Sequence, residues 1–131
     1  MISPTPKPTV LIVDDEADIR LLLKDVLAVR YHILTACDGL EALEYLGETD
    51  GAVDLVITDL RMPRLDGIGL VEAIQQHYPR TGVLVISAHG TADEAVQALK
   101  SGAYDYITKP LPADLREIYA KCERFFRTQA L

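Results

Sequence analysis

The residues best suited to chemistry in this chain are acids placed where apolar runs end. Asp14-Asp15 follow Val10-Leu11-Ile12-Val13, and Asp59 follows Leu55-Val56-Ile57-Thr58. Each run reads as a short strand buried on both faces that gives way to carboxylate. Two such strands side by side bring their acidic ends to one edge of a sheet. Clustered carboxylates repel, so the arrangement is costly unless a cation sits among them. A hard divalent ion held by oxygens fits, magnesium first and manganese as its substitute. Lys109, far downstream, is a candidate fourth member that would balance charge and grip a phosphoryl oxygen.

Each of these residues also has a plainer role open to it. Asp59 precedes Leu60-Arg61-Met62-Pro63 and the turn signal Asp66-Gly67, so it is a metal ligand, a nucleophile, or a turn former and helix cap. Acids in a first helical turn offset the helix dipole, which is the reading for Glu16. Neighbouring side chains of a strand face opposite ways. Asp14 and Asp15 therefore address one ion only where the chain is already turning, one directly and the other through water. Ser87 ends a fourth apolar run, where its hydroxyl is a phosphoryl donor or a simple loop cap. Tyr106, on the last strand, reads as core by default, and His89 as an uninvolved rim residue.

The elements that must position these groups follow from apolar spacing. Val10–Val13, Ile33–Ala36, Leu55–Thr58, Val83–Ile86 and a short run including Tyr106–Thr108 read as five strands. Between and after them lie helical stripes. These are Ile19, Leu22, Leu23, Val26 and Leu27; Ala42, Leu43 and Leu46, broken near Gly47; Leu70, Val71 and Ile74, ended by Pro79; Ala92, Ala95, Val96 and Leu99, closed near Gly102; and Leu115, Ile118, Tyr119, Cys122 and Phe126. Five βα units imply an α/β domain, a parallel sheet with helices on both faces and right-handed crossovers. In such sheets ligands bind beyond the carboxyl ends of the strands. Asp14, Asp15, Asp59, Ser87 and Lys109 all fall there. Residues 1–8 carry three prolines and read as a flexible leader; residues 9–131 form the single domain.

The chain has 131 residues and a net charge of −7, enough for one core and too acidic to grip a phosphate backbone unaided. Cys37 and Cys122 have neither metal nor redox spacing and read as two small core hydrophobes in a reducing compartment. No stretch reads as a signal peptide or is long enough to span a bilayer. The expectation is a cytoplasmic protein without nucleic-acid or membrane binding of its own.

Four segments in order carry a family resemblance: Val13-Asp14-Asp15-Glu16, Asp59 through Gly67 (DLRMPRLDG), Ser87-Ala88, and Gly102 through Pro110 (GAYDYITKP). The chain resembles the receiver domain of bacterial two-component response regulators, from about Thr9 to the last helix. The resemblance implies a flavodoxin-like, doubly wound (βα)5 fold with strand order 2-1-3-4-5. It implies that Asp59 accepts a phosphoryl group from a sensor histidine kinase or phosphotransfer protein. Asp15 would then be the direct magnesium ligand, Asp14 its water-mediated partner, and the backbone carbonyl of Arg61 a further ligand. Ser87, Ala88 and Lys109 would hold the phosphoryl group, and Ser87 and Tyr106 would be the switch pair. Arg61 and His89 stand where the family varies and tunes phosphoryl lifetime.

The expected function is phosphorelay signalling, with self-phosphorylation and self-dephosphorylation as its only catalysis and transcription regulation as the output. The main rival is a magnesium-dependent phosphoaspartate phosphatase. It is disfavoured by Arg61, where such hydrolases place a second Asp. A flavodoxin-type cofactor binder is disfavoured by acids where a phosphate-cradling loop belongs. A receiver that only binds partners is disfavoured by the full polar set. Adjacent Phe125 and Phe126 cannot face one direction, which leaves one for exposure or a homodimer contact. The resemblance places such contacts on the fourth helix, fifth strand and fifth helix.

Overall fold

The computed structural model describes residues 7–87, 92–109 and 115–129. Strands and helices alternate throughout: β1 (Thr9–Val13), α1 (Ala17–Leu27), β2 (His32–Ala36), α2 (Gly39–Glu48), β3 (Leu55–Asp59), α3 (Gly67–His77), β4 (Gly82–Ser87), α4 (Ala92–Ser101), β5 (Asp105–Thr108) and α5 (Arg116–Gln129). The five strands are parallel in the order β2-β1-β3-β4-β5. This is the flavodoxin-like, doubly wound sheet that five βα units imply.

The strands alternate between two cores. Leu11, Val13, Val56, Val83 and Val85 face α2, α3 and α4, packing on Ala42, Leu46, Leu70, Val71, Ile74 and Ala98. Val10, Ile12, Leu55, Ile57, Leu84, Ile86 and Ile107 face α1 and α5, packing on Leu23, Leu27, Ile118, Cys122 and Phe125. Burial on both faces is why β1, β3 and β4 read as unbroken apolar runs. The sheet begins at the last residue of the expected leader: Pro8 accepts from the His32 N–H at 2.8 Å.

Register sets the functional edge. Val13 pairs with Thr58, and Asp59 with Ile86; Ser87 pairs with Thr108. Asp14 and Asp59 therefore emerge at one level, with Ser87 one residue and Lys109 two residues further along the next two strands. The Lys109 N–H donates to the Ser87 carbonyl at 2.8 Å, which carries the pairing past the end of β5.

Several expectations need correction. Helix α2 runs through Gly47 to Glu48; one glycine costs about 1 kcal/mol, less than the packing of Leu46 recovers. On α1, Leu22 is 40% exposed, and Leu23 and Leu27 carry the buried face. Among the described side chains of α4, Ala95 and Ala98 are buried, while Val96 and Leu99 are exposed. Small residues there let α4 lie close to the sheet and turn the larger ones outward. Cys37 is exposed, with its thiol donating to Glu41, so only Cys122 is a core hydrophobe.

Phe125 and Phe126 both pack. Phe125 is buried over Gly82, where a Cβ would come within 2.3 Å of its ring. Phe126 lies against Tyr31, with ring centroids 5.2 Å apart. Phe125 is buried and Phe126 half-buried, and both rings join the core that faces α1 and α5.

Candidate functional site

Asp14 and Asp59 are both nearly inaccessible, and Asp15 is exposed. The three acids each bring one carboxylate oxygen within 4.8 Å of the others. Lys109 reaches this group from the end of β5. Its Nζ lies 3.2 Å from Asp59 Oδ2 and 3.4 Å from Asp14 Oδ2, spanning 50 and 95 residues of sequence. The remaining carboxylate oxygens are held by backbone. Asp14 Oδ1 accepts from the Glu16 N–H at 2.9 Å, and Asp59 Oδ1 from the Arg61 N–H at 3.3 Å.

The turn that presents Asp14 and Asp15 is held from outside the helix that follows it. Glu16, the N-cap of α1, makes no side-chain cap bond. The Asp14 N–H instead donates to the Ala36 carbonyl on β2 at 3.1 Å, and its carbonyl accepts from Arg20 Nη1 at 2.6 Å. Asp59 is braced differently. The Gly67 N–H donates to the Leu60 carbonyl at 2.9 Å, closing the loop between them. Gly67 is required at that closure, since a Cβ would lie 2.5 Å from the Asp59 carbonyl oxygen and 2.6 Å from Leu60 Cα. Asp66 then caps α3 by accepting from the Gly69 N–H at 2.8 Å.

The electrostatics match the crowding. Burial pushes the Asp14 carboxyl above its ordinary value, and the Asp59 charge adds to the rise; the Glu16 N–H and Lys109 oppose it without reversing it. Burial alone would lower Lys109, but the charges of Asp14 and Asp59 outweigh it and the ammonium is held above its usual value. Two buried carboxylates share the Lys109 ammonium, and an exposed third carboxylate lies beside them. That donor set is all oxygen and anionic in excess, as a small hard divalent cation requires. The residues therefore fit magnesium at an Asp pocket, with Asp14, Asp15 and Asp59 as the side chains that would hold it.

The other expected residues sort as follows. Ser87 is fully buried at the end of β4. Tyr106 does not sit in the core: it is 37% exposed, with Lys121 Nζ 5.5 Å from its ring centre. Lys121 also donates to the Tyr106 carbonyl at 2.7 Å and pairs with Asp105 at 3.2 Å. The Arg61 side chain leaves the acids and pairs with Glu94 on α4. Ala88, His89 and Pro110 lie outside the described residues. Arg20, Glu94 and Lys121 were not singled out from sequence. Each is an ordinary charged helix residue with no local pattern to mark its long-range partner.

The chain belongs to the response regulator receiver domain family, whose profile matches residues 10–122. It is 43% identical over 122 residues to the response regulator protein PilR of Pseudomonas aeruginosa, covering 92% of this chain and 27% of that one. It is 38% identical over 116 residues to the DNA-binding transcriptional regulator NtrC of Escherichia coli, covering 88% of this chain and 24% of that one. The chain thus spans about a quarter of the length of these relatives. The receiver domain of NtrX from Brucella abortus superposes with a TM-score of 0.82 at 38% identity, covering 91% of this chain and 98% of that one. The phosphatase alternative gains no support, since these relatives are response regulators. Among the described residues, no helix is long and apolar enough to cross a membrane.

Proposed function

We propose that this domain is the magnesium-dependent phosphoacceptor of a two-component phosphorelay, with Asp59 as the residue phosphorylated. The observation that carries the proposal is Lys109, whose ammonium bonds both Asp59 and Asp14 across three strands. Receiver domains are in general signal transducers, and the only catalysis proposed is self-phosphorylation and self-dephosphorylation. The donor is a phosphohistidine of a sensor kinase or phosphotransfer protein. An oxygen of Asp59 forms the new P–O bond while the donor's P–N bond breaks and its electron pair returns to the imidazole.

Phosphoryl transfer asks mainly for alignment and charge neutralisation. A divalent ion, when bound, supplies part of the neutralisation. Asp15, Asp14 and the Arg61 carbonyl are the groups that would hold it. Lys109 neutralises a phosphoryl oxygen and aligns the group. Ser87 and Ala88 are the residues assigned to the remaining oxygens.

The product adds charge at the end of β3. Ser87 moves toward it, and Tyr106 leaves its place beneath Lys121 for the space opened. That biases a two-state surface formed by α4, β5 and α5. Exposed Val96, Leu99 and Tyr106 make it suited to homodimerisation or to contact with an output domain. Relatives named as transcriptional regulators support gene control as the output, and contact with DNA would then lie outside this domain. Residues 9–131 are assigned to the receiver and residues 1–8 to a leader.

Incubation with acetyl phosphate and magnesium, followed by intact mass measurement, tests the assignment. One phosphoryl group is expected on the wild type and none on Asp59→Asn; equal labelling of both refutes it.

A further inference from the structure

We propose that Arg20 is the positioning residue that sets the Asp14-Asp15 turn for magnesium, a role that rests on the phosphoacceptor reading above. The peptide plane whose carbonyl Arg20 holds is the one that joins the two acids. Val13 is the last residue of β1 paired with β2 and β3, so the Asp14 carbonyl lies past the ladder. Arg20 Nη1 takes that carbonyl at 2.6 Å, a charge-assisted bond stronger than a neutral one. Fixing the plane fixes the direction in which the chain delivers Asp15, the exposed acid of the group.

Two further observations single out Arg20 for this task. First, α1 lacks the device that α2 and α3 use. Asp38 and Asp66 cap those helices by accepting from Glu41 and Gly69 N–H groups, whereas the Glu16 side chain caps nothing. The start of α1 is secured instead by the Asp14 side chain on the Glu16 N–H and by Arg20 on the Asp14 carbonyl. Second, Arg20 stands in the opening turns of α1, where the helix dipole disfavours a cation. Its half-buried side chain reaches back toward the acids rather than into solvent.

Charge and position make opposite demands on this residue, which lets one measurement separate them. A guanidinium beside the acids repels a divalent cation, so deleting it for electrostatic reasons tightens magnesium binding. If the arginine positions the ligands, deleting it weakens binding. Partners that orient metal ligands from outside the coordination shell typically contribute about 10- to 100-fold in affinity, and the low end, about tenfold, is expected here because the bond is to backbone.

The experiment titrates magnesium chloride calorimetrically into wild type, Arg20→Met, Arg20→Lys and Arg30→Met. Arg30 pairs with Glu123 on α5, so its variant makes the same change of net charge away from the acids. Thermal unfolding in EDTA is measured alongside. The expected result is binding about tenfold weaker in Arg20→Met, an intermediate loss in Arg20→Lys, no loss in Arg30→Met, and unfolding midpoints in EDTA close to wild type. Binding equal to or tighter than wild type in Arg20→Met overturns the proposal and leaves Arg20 as a charge alone. Should Arg20→Met fail to fold without metal, Arg20→Lys decides: weakened binding supports positioning, and wild-type affinity overturns it. A wild type that binds no magnesium removes the phosphoacceptor reading itself, which is a different failure.

Discussion

Removing the ammonium of Lys109 is the most direct test of how the acidic edge is held together. In the absence of metal, Lys109 is the only group bonded to both Asp14 and Asp59 among the described residues, at 3.4 and 3.2 Å, with its side chain 15% exposed. At an effective dielectric of about 20, each contact is worth roughly 5 kcal/mol of gross attraction. Carboxylate oxygens within 4.8 Å of each other repel by about 3.5 kcal/mol on the same scale. Desolvation cancels much of the attraction, and breaking a buried pair from one side costs about 3–5 kcal/mol net. Lys109→Met should therefore unfold in urea with a free energy lower by about 3 kcal/mol at pH 7 in EDTA.

Magnesium should return most of that loss. A ligand at 100 times its dissociation constant stabilises by about 2.7 kcal/mol, and the variant, with a more negative pocket, should bind the ion at least as tightly. The pH dependence has a definite sign. Asp14 has a raised value when folded, so the folded state holds its proton more tightly. Stability is then gained as pH falls through that raised value toward the ordinary 3.8. Losing Lys109 raises it further, so the deficit of the variant shrinks as pH falls through that raised value. The Lys109 contribution runs the other way: it is complete below the ordinary 10.5 and lost as pH rises through the raised folded value. Urea unfolding followed by circular dichroism at pH 5 and 7, with EDTA or magnesium, reads the deficit, its recovery by the ion and its change on the acid side. A variant as stable as wild type at pH 7 in EDTA would refute the view that the ammonium holds the two carboxylates together.

Four further outcomes are expected. Gly67→Ala should lose stability and slow labelling by acetyl phosphate, because its methyl group meets the Asp59 carbonyl and Leu60 backbone; intact-mass time courses check this, and wild-type rates would show that the loop yields. Phe125→Ala should cost about 3–5 kcal/mol in urea unfolding, since the ring is buried against Tyr104 and Phe126. Iodoacetamide should label Cys37 alone in the folded protein, because the Cys122 thiol is inaccessible and pushed up to about 12 by burial. Glu41→Ala should speed labelling of Cys37, since the Glu41 contact raises that thiol.

Much of the fold could be read from local pattern. Runs such as Val10–Val13 and Leu55–Thr58 are apolar at every position because both faces of the sheet are covered, and that alone identifies central parallel strands. The helical stripes were less reliable where a helix lies flat on small residues. On α4, Ala95 and Ala98 make the contact, and the larger Val96 and Leu99, which dominate any hydrophobic pattern, face away. Cys37 misled for a related reason: a small apolar residue after a strand has no periodicity to say which side it takes.

By itself, the sequence determined which residues stand at strand ends, since a carboxylate, serine or lysine after an apolar run is a local fact. It also determined, through four ordered segments, the family to which those ends belong. Only the tertiary structure decided what those ends do to one another. The distance from Lys109 to Asp14 depends on strand order and register across 95 residues. The reach of Arg20 to a backbone carbonyl depends on how α1 leaves β1. The meeting of Tyr106 with Lys121 depends on how α5 returns along β5. Periodicity reports the face a residue takes, not the partner it meets there, because partners are set by packing between elements far apart in the chain.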